Sequence, residues 1–228
     1  MPLAALRPDA LLPALQRSDA ARPRITCYDD DNGERIELSA RVLANWVNKA
    51  ANLLQDEFGA EPGTRVALDL PPHWRTLYWA LAAWAVGATV VTDGSGGDVV
   101  VTDRPGATGP QVVVTRGALA RAAAIPVPPG AVDEARDLPG QPDVFDAWDA
   151  AGDQAAALVT PAGTRPYAAP TGAAIPAGAR VHTATGDTAE FLDLALATLA
   201  GDGSVVLSIG EPSDLPARLR AEAVTLER

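Results

Sequence analysis

Lys49 is the only lysine among the 18 basic residues of this 228-residue chain. An ammonium group can neutralise phosphate charge or, when desolvated, act as a base or nucleophile. Any step of that kind must use Lys49 or a lysine from another molecule. There is one cysteine, Cys27, and there are two histidines, His73 and His182. A lone cysteine closes no internal disulfide and builds no cysteine-rich zinc site. Cys27 falls inside a predicted hairpin strand, so a small buried residue is expected there rather than a nucleophile. His73 follows Pro71-Pro72 at a helix start with only Asp69 near it in sequence, which favours capping or packing over general-base work. Ser95 and Ser208 lack the G-x-S-x-G setting of a hydrolase nucleophile. The run Gly94-Ser-Gly-Gly97 lacks the G-x-G-x-x-G spacing and precedes a strand rather than a helix, so a loop is expected and not a dinucleotide cradle. Asp29-Asp30-Asp31 lacks the spacing of a calcium loop and reads as solvated turn residues. Trp74, Trp79 and Trp84 lie five apart and cannot share one helix face; some belong to the core, and one is a candidate exposed anchor for a partner.

Composition narrows the classes. The net charge is −11, with a pI near 4.5, which argues against a general phosphate-backbone binder, so no nucleic acid partner is expected. No run of about 18 apolar residues occurs, so no membrane span is expected. Residues 1–21 lack a basic start followed by an apolar core, and the expectation is a cytoplasmic protein. At 47% hydrophobic and 21% charged residues the chain reads as globular.

These side chains must be positioned by strands alternating with helices. A short helix is predicted over Ala4 to Gln16. A hairpin follows, Arg24 to Asp29 and Glu34 to Leu38 joined through Asn32-Gly33. Ser39 fits a helix N-cap ahead of Val42, Leu43, Trp46, Val47, Ala50, Leu53 and Leu54, closed by Gly59, with Lys49 on the polar face. Further on come a strand at Arg65 to Leu70, a buried helix at His73 to Val86, and short strands at Thr89 to Thr92, Val99 to Thr102 and Val112 to Thr115. A helix is predicted at Ala118 to Ala124 and a helical turn at Val144 to Trp148. Ala155 to Thr160 reads as a strand, and Pro161 to Gly178 as irregular. Arg180 to Thr183, Thr188 to Ala200, Ser204 to Ser208, Leu215 to Ala223 and Val224 to Leu226 alternate strand and helix. The pattern implies α/β architecture with a mostly parallel sheet and flanking helices, in a single domain over 1–228.

The run GERIELSARVLANWVNKAANLLQDEFGAEPGTRVALDLP, followed by WALAAWAVGATVV, resembles the N-terminal part of the AMP-binding, acyl-CoA synthetase-like superfamily of adenylate-forming enzymes. Later segments, FLDLALATLAGDGSVVL and LPARLRAEAVTLER, are similar to the closing elements of the same subdomain. The whole is similar to an actinobacterial family distantly related to these enzymes. That family holds ATP phosphates in a Ser/Thr/Gly-rich loop ending in lysine. The matching place here is Thr160-Pro-Ala-Gly163-Thr164-Arg165-Pro166-Tyr167. The resemblance makes Thr160, Gly163 and Thr164 the candidate cofactor-binding residues of a vestigial phosphate loop. One glycine is missing, no lysine is present, and Pro161 removes a backbone donor; the alternative is an ordinary exit from a strand. His182, with Gly186 and Asp187, is loosely similar to a later His and Gly of the family, and the alternative is a satisfied strand-end histidine.

The resemblance also implies that the family's catalytic lysine and its adenine and ribose motifs lie C-terminal to Arg228. The expectation is therefore a non-catalytic relative acting as a binding or interaction module. It would associate as a homodimer, or with a protein partner, through the face that a second subdomain covers in the full enzymes. Two alternatives are an ATP, AMP or acyl-adenylate binding regulator, and a ligase that needs a partner chain.

Overall fold

The computed structural model describes residues 6–104, 106, 109–169 and 175–228. The chain divides into two compact units. The first comprises Met1–Ala44, Pro71–Leu77 and Pro170–Arg228, the second Asn45–Leu70 and Tyr78–Ala169.

In the first unit, α1 (Pro8–Asp19) begins on a proline, whose missing N–H costs nothing at a helix start. The predicted helix opened at Ala4; residues 4 and 5 lie outside the described residues. Strands β1 (Pro23–Asp29) and β2 (Glu34–Ser39) pair antiparallel. Gly33 takes φ +68° in their turn, a conformation free of steric cost only without a Cβ. Ser39 Oγ accepts from the Val42 amide at 3.3 Å and so caps α2 (Ala40–Phe58).

The second unit carries a seven-stranded sheet. Its strands are β3 (Arg65–Asp69), β4 (Thr89–Val91), β5 (Val99–Thr102), β6 (Gln111–Val113), β7 (Val132–Asp133), β8 (Ala156–Thr160) and β9 (Gly163–Pro166), in the order β7-β6-β5-β3-β4-β8-β9. Every pairing is parallel except β8 with β9. Parallel strands buried on both faces read as apolar runs, as in the buried Val90, Val101 and Val112. Helix α3 (Trp74–Ala85) is almost wholly buried along its length. Within this unit Trp84 Nε1 donates to Ala157 O at 2.7 Å, and Tyr167 Oη donates to Ala88 O at 2.6 Å, so both indole and phenol find partners as buried polar tips require.

A second sheet belongs to the first unit. Strands β10 (Arg180–Thr183), β11 (Ser204–Ile209) and β12 (Leu226–Glu227) complete the order β12-β10-β11-β1-β2. Helix α5 (Thr188–Ala200) touches β10, β11 and α1. It contributes Phe191, Leu192, Ala195, Leu196 and Leu199 to a core shared with Leu11, Leu15, Ile25, Cys27, Val181, Val205 and Leu207. Helix α6 (Leu215–Ala221) lies between β11 and β12 in sequence and buries no residue.

Two expected helical segments are absent. Residues 118–124 form turns, and Leu119 is 93% exposed. Seven residues with no apolar face to bury cannot repay helix nucleation. Val144 to Trp148 is non-helical; the helical turns fall earlier, at α4 (Glu134–Asp137) and a 3-10 turn at Leu138–Gly140. Asp133 caps α4 by accepting from the Ala135 and Arg136 amides. Within the segment read as irregular, Gly163–Pro166 is strand β9, and residues 170–174 lie outside the described residues.

Candidate functional site

Thr160, Gly163 and Thr164 sit at the tip of the β8–β9 hairpin. Thr160 pairs with Gly163 across a two-residue turn, Pro161-Ala162. Gly163 has φ +134° there. The Thr160 hydroxyl accepts from the Ala162 amide at 3.2 Å and donates to Gly163 O at 3.3 Å. A phosphate nest needs several convergent backbone N–H groups. Of the two turn residues, proline has none and Ala162 already spends its own on Thr160.

Lys49 is half-buried, with its side chain 18% exposed. Its ammonium donates to Pro139 O at 2.9 Å and to Gln141 O, and pairs with Asp143 at 3.0 Å. Neighbours on the same helix face continue this pattern. Asn48 Nδ2 donates to Asp143 O at 2.7 Å, and Asn52 Nδ2 to Pro142 O at 3.1 Å and Val144 O at 2.9 Å. Gln55 donates to Asp146 O at 3.2 Å and accepts from the Trp148 amide at 3.0 Å. The lone lysine is thus part of a side-chain ladder on α2 that holds the end of the 3-10 turn and the non-helical strap that follows it, together 139–148. The polar face anticipated for it is real, but it faces backbone carbonyls.

The first unit contains a polar network that sequence reading missed. The register sets Tyr28 beside Arg35 and Ser208, Thr26 beside Glu37 and Val206, and Arg180 beside Ser204. One sheet face is therefore mainly polar, and α6 with the residue after it closes on this face through ion pairs. Arg218 Nη1 donates to Asp30 at 2.7 Å and to Ser208 Oγ at 3.0 Å, and its guanidinium lies 4.0 Å from the Tyr28 ring centre. Glu222 accepts from Arg35 at 2.8 Å and from Tyr28 and Arg180. Burial alone would raise the Glu222 carboxyl. The hydrogen bonds from Tyr28, Arg180 and Arg35 outweigh it and hold the group at about 2. The signal available in sequence was the alternation of polar residues in four strands (Thr26/Tyr28, Arg35/Glu37, Arg180/His182, Ser204/Ser208). Their partners could not be read without the strand order.

His182 lies 3.0 Å through Nε2 from Ser208 Oγ, and both are buried. Burial pushes the imidazole down, so it stays neutral at pH 7. With Arg218 donating to the same oxygen, the serine hydrogen is left for His182. The pair thus meets the satisfied strand-end reading of His182. Asp187 caps α5 by accepting from the Glu190 amide at 2.9 Å.

The remaining candidates have structural occupations. His73 Nδ1 accepts from the Arg75 amide at 3.3 Å at the start of α3, a capping role, and Asp69 bonds Thr102 and Arg104 instead. Cys27 is buried, and burial pushes its thiol up to about 12, far from a reactive thiolate. A Cβ at Gly97 would stand 2.6 Å from Arg65 O and 2.9 Å from Ala67 N, so this glycine serves a close approach to β3. Asp29 accepts from Asn32, and Asp30 pairs with Arg218. Among the described residues no group of three or more His, Cys, Asp or Glu is placed to hold a metal ion. Trp74, Trp79 and Trp84 are all buried; the exposed tryptophan is Trp148. No described helix is long and apolar enough to cross a membrane.

Two α/β sheets of parallel strands, each edged by one antiparallel strand, with flanking helices, define the fold of the N-terminal domains of adenylate-forming enzymes. The N-terminal domain of FACL13 from Mycobacterium tuberculosis superposes with a TM-score of 0.69 at 14% identity, covering 97% of this chain and 62% of that one. An acyl-CoA synthetase from Brucella canis gives 0.74 at 18% identity, covering 99% of this chain and 47% of that one. At such identities the likeness concerns the fold. Residues 15–137 match the AMP-binding enzyme family, and the chain belongs to it. A TIGR03089 family protein of Mycobacterium tuberculosis is 50% identical over 92 residues, which are 40% of this chain and 38% of that relative.

Proposed function

We propose that this chain is a non-catalytic member of the AMP-binding enzyme family that works by binding a protein, either a second copy or a different partner. The observation that carries this reading is the Thr160–Gly163 turn. Activating a carboxylate with ATP brings two anions together and requires convergent donors and cations. Of the two turn residues, Pro161 has no amide hydrogen and Ala162 already bonds Thr160, and the only lysine is committed to strap carbonyls. The test is ATP–pyrophosphate exchange by the purified chain with a panel of fatty, aryl and amino acids. No exchange above the protein-free background is expected. Exchange that depends on a carboxylic acid would overturn the proposal.

A further inference from the structure

The strap exposes two large apolar side chains on the second unit. Trp148 is 64% exposed and Val144 73% exposed. Tryptophan is enriched among residues that dominate protein interfaces. The backbone beneath them is pinned: α2 side chains bond the carbonyls of Pro142, Asp143, Val144 and Asp146 and the amide of Trp148. The two apolar groups are therefore presented on an ordered scaffold, which lowers the entropy lost on docking. Asp143, Asp146 and Asp149 alternate with them along the strap, and Lys49 pairs with Asp143 alone of these three.

Charge decides the occupant. A second copy meeting the same patch would set aspartates against aspartates on chains that each carry −11. Nucleic acid and anionic lipid are repelled for the same reason. We infer that residues 142–149 are a preorganised docking epitope for a protein of different sequence that presents an apolar slot rimmed by arginine or lysine. Trp148 and Val144 fill the slot, and Asp146 and Asp149 meet the rim. This inference rests on the reading of the chain as a binding module.

The test places p-benzoylphenylalanine at Ala147, beside Trp148, in cells that naturally make the protein, with irradiation and identification of the adduct. The captured protein is then purified and titrated against the wild-type chain, Trp148→Ala and the double variant Asp146→Asn/Asp149→Asn. The expected result is an adduct with a different protein whose binding weakens about tenfold or more with Trp148→Ala. Association should slow with added salt and in the double variant. Both changed surfaces are exposed, and an unchanged melting temperature confirms that the variants fold. Adducts only with a second copy, no adduct, or binding indifferent to Trp148→Ala would overturn the inference. Pyrophosphate exchange measured on the same preparations reports on the non-catalytic reading separately, so failure of one is distinguishable from failure of the other.

Discussion

Glu222 receives hydrogen bonds from Tyr28, Arg35 and Arg180, and that convergence holds its carboxylate at about 2 against an ordinary 4.5. A carboxylate depressed in the fold stabilises it fully above the unfolded value and loses that contribution as pH falls through the folded one. Asp30, held down by Arg218, acts in the same direction. His182 is depressed from 6.5 by burial, so stability begins to fall below about pH 6.5, where the unfolded histidine takes up a proton that the folded one refuses. Glu222→Gln should cost about 2–3 kcal/mol at pH 7, between the values for exposed and fully buried pairs. Its deficit against wild type should shrink as pH drops from about 4.5 toward 2. Urea unfolding of both proteins at pH 7 and pH 3 checks this. A deficit that does not change with pH would show that Glu222 acts by packing rather than by charge.

The α2 ladder makes a prediction at the next scale. Lys49→Met keeps the apolar stem and removes the donors to Pro139 and Gln141. The expected cost is about 1.5–3 kcal/mol, the range for hydrogen bonds to charged groups. Amide exchange should rise over 139–148 while β3, β4 and β5 keep their protection, since the strap is held by side chains rather than by a sheet ladder. Equal protection in both proteins would mean that the lysine rung contributes nothing. Most elements were readable from periodicity and punctuation: Ser39 and Gly59 bracket α2, and Asn32-Gly33 marks the hairpin turn. The strap was not, because an extended segment bonded to the side chains of a distant helix has no local pattern. Its proline, glycine and aspartate content reads only as a loop.

For the whole molecule, the single-domain expectation meets two compact units whose boundaries fall after Ala44, Leu70, Leu77 and Ala169. Two of these lie inside α2 and α3, so no linker marks them and composition could not reveal them. Net charge and the closed hairpin together bear on nucleotides. A ligand at 100 times its Kd adds about 2.7 kcal/mol, which for a chain of this size raises the melting temperature by about 5–10 °C. Millimolar Mg–ATP, AMP or an acyl-adenylate analogue should leave the melting temperature unchanged within about 1 °C. A dose-dependent rise would instead favour a nucleotide-binding regulator.

The amino-acid sequence by itself determined the alternation of strands and helices, the family resemblance and the scarcity of lysine. Each rests on local periodicity or on residue identity, which a linear chain displays. The tertiary structure decided what the chemistry-bearing residues do. Lys49 lies some 90 residues from the carbonyls it holds, and Glu222 lies 187 from Arg35. Pairings at such separations depend on strand order and register, which side-chain spacing does not encode. The Thr160 turn is the sharpest case. Its residues suggested a phosphate loop; in the fold they close a two-residue hairpin turn in which the Ala162 amide bonds the Thr160 hydroxyl.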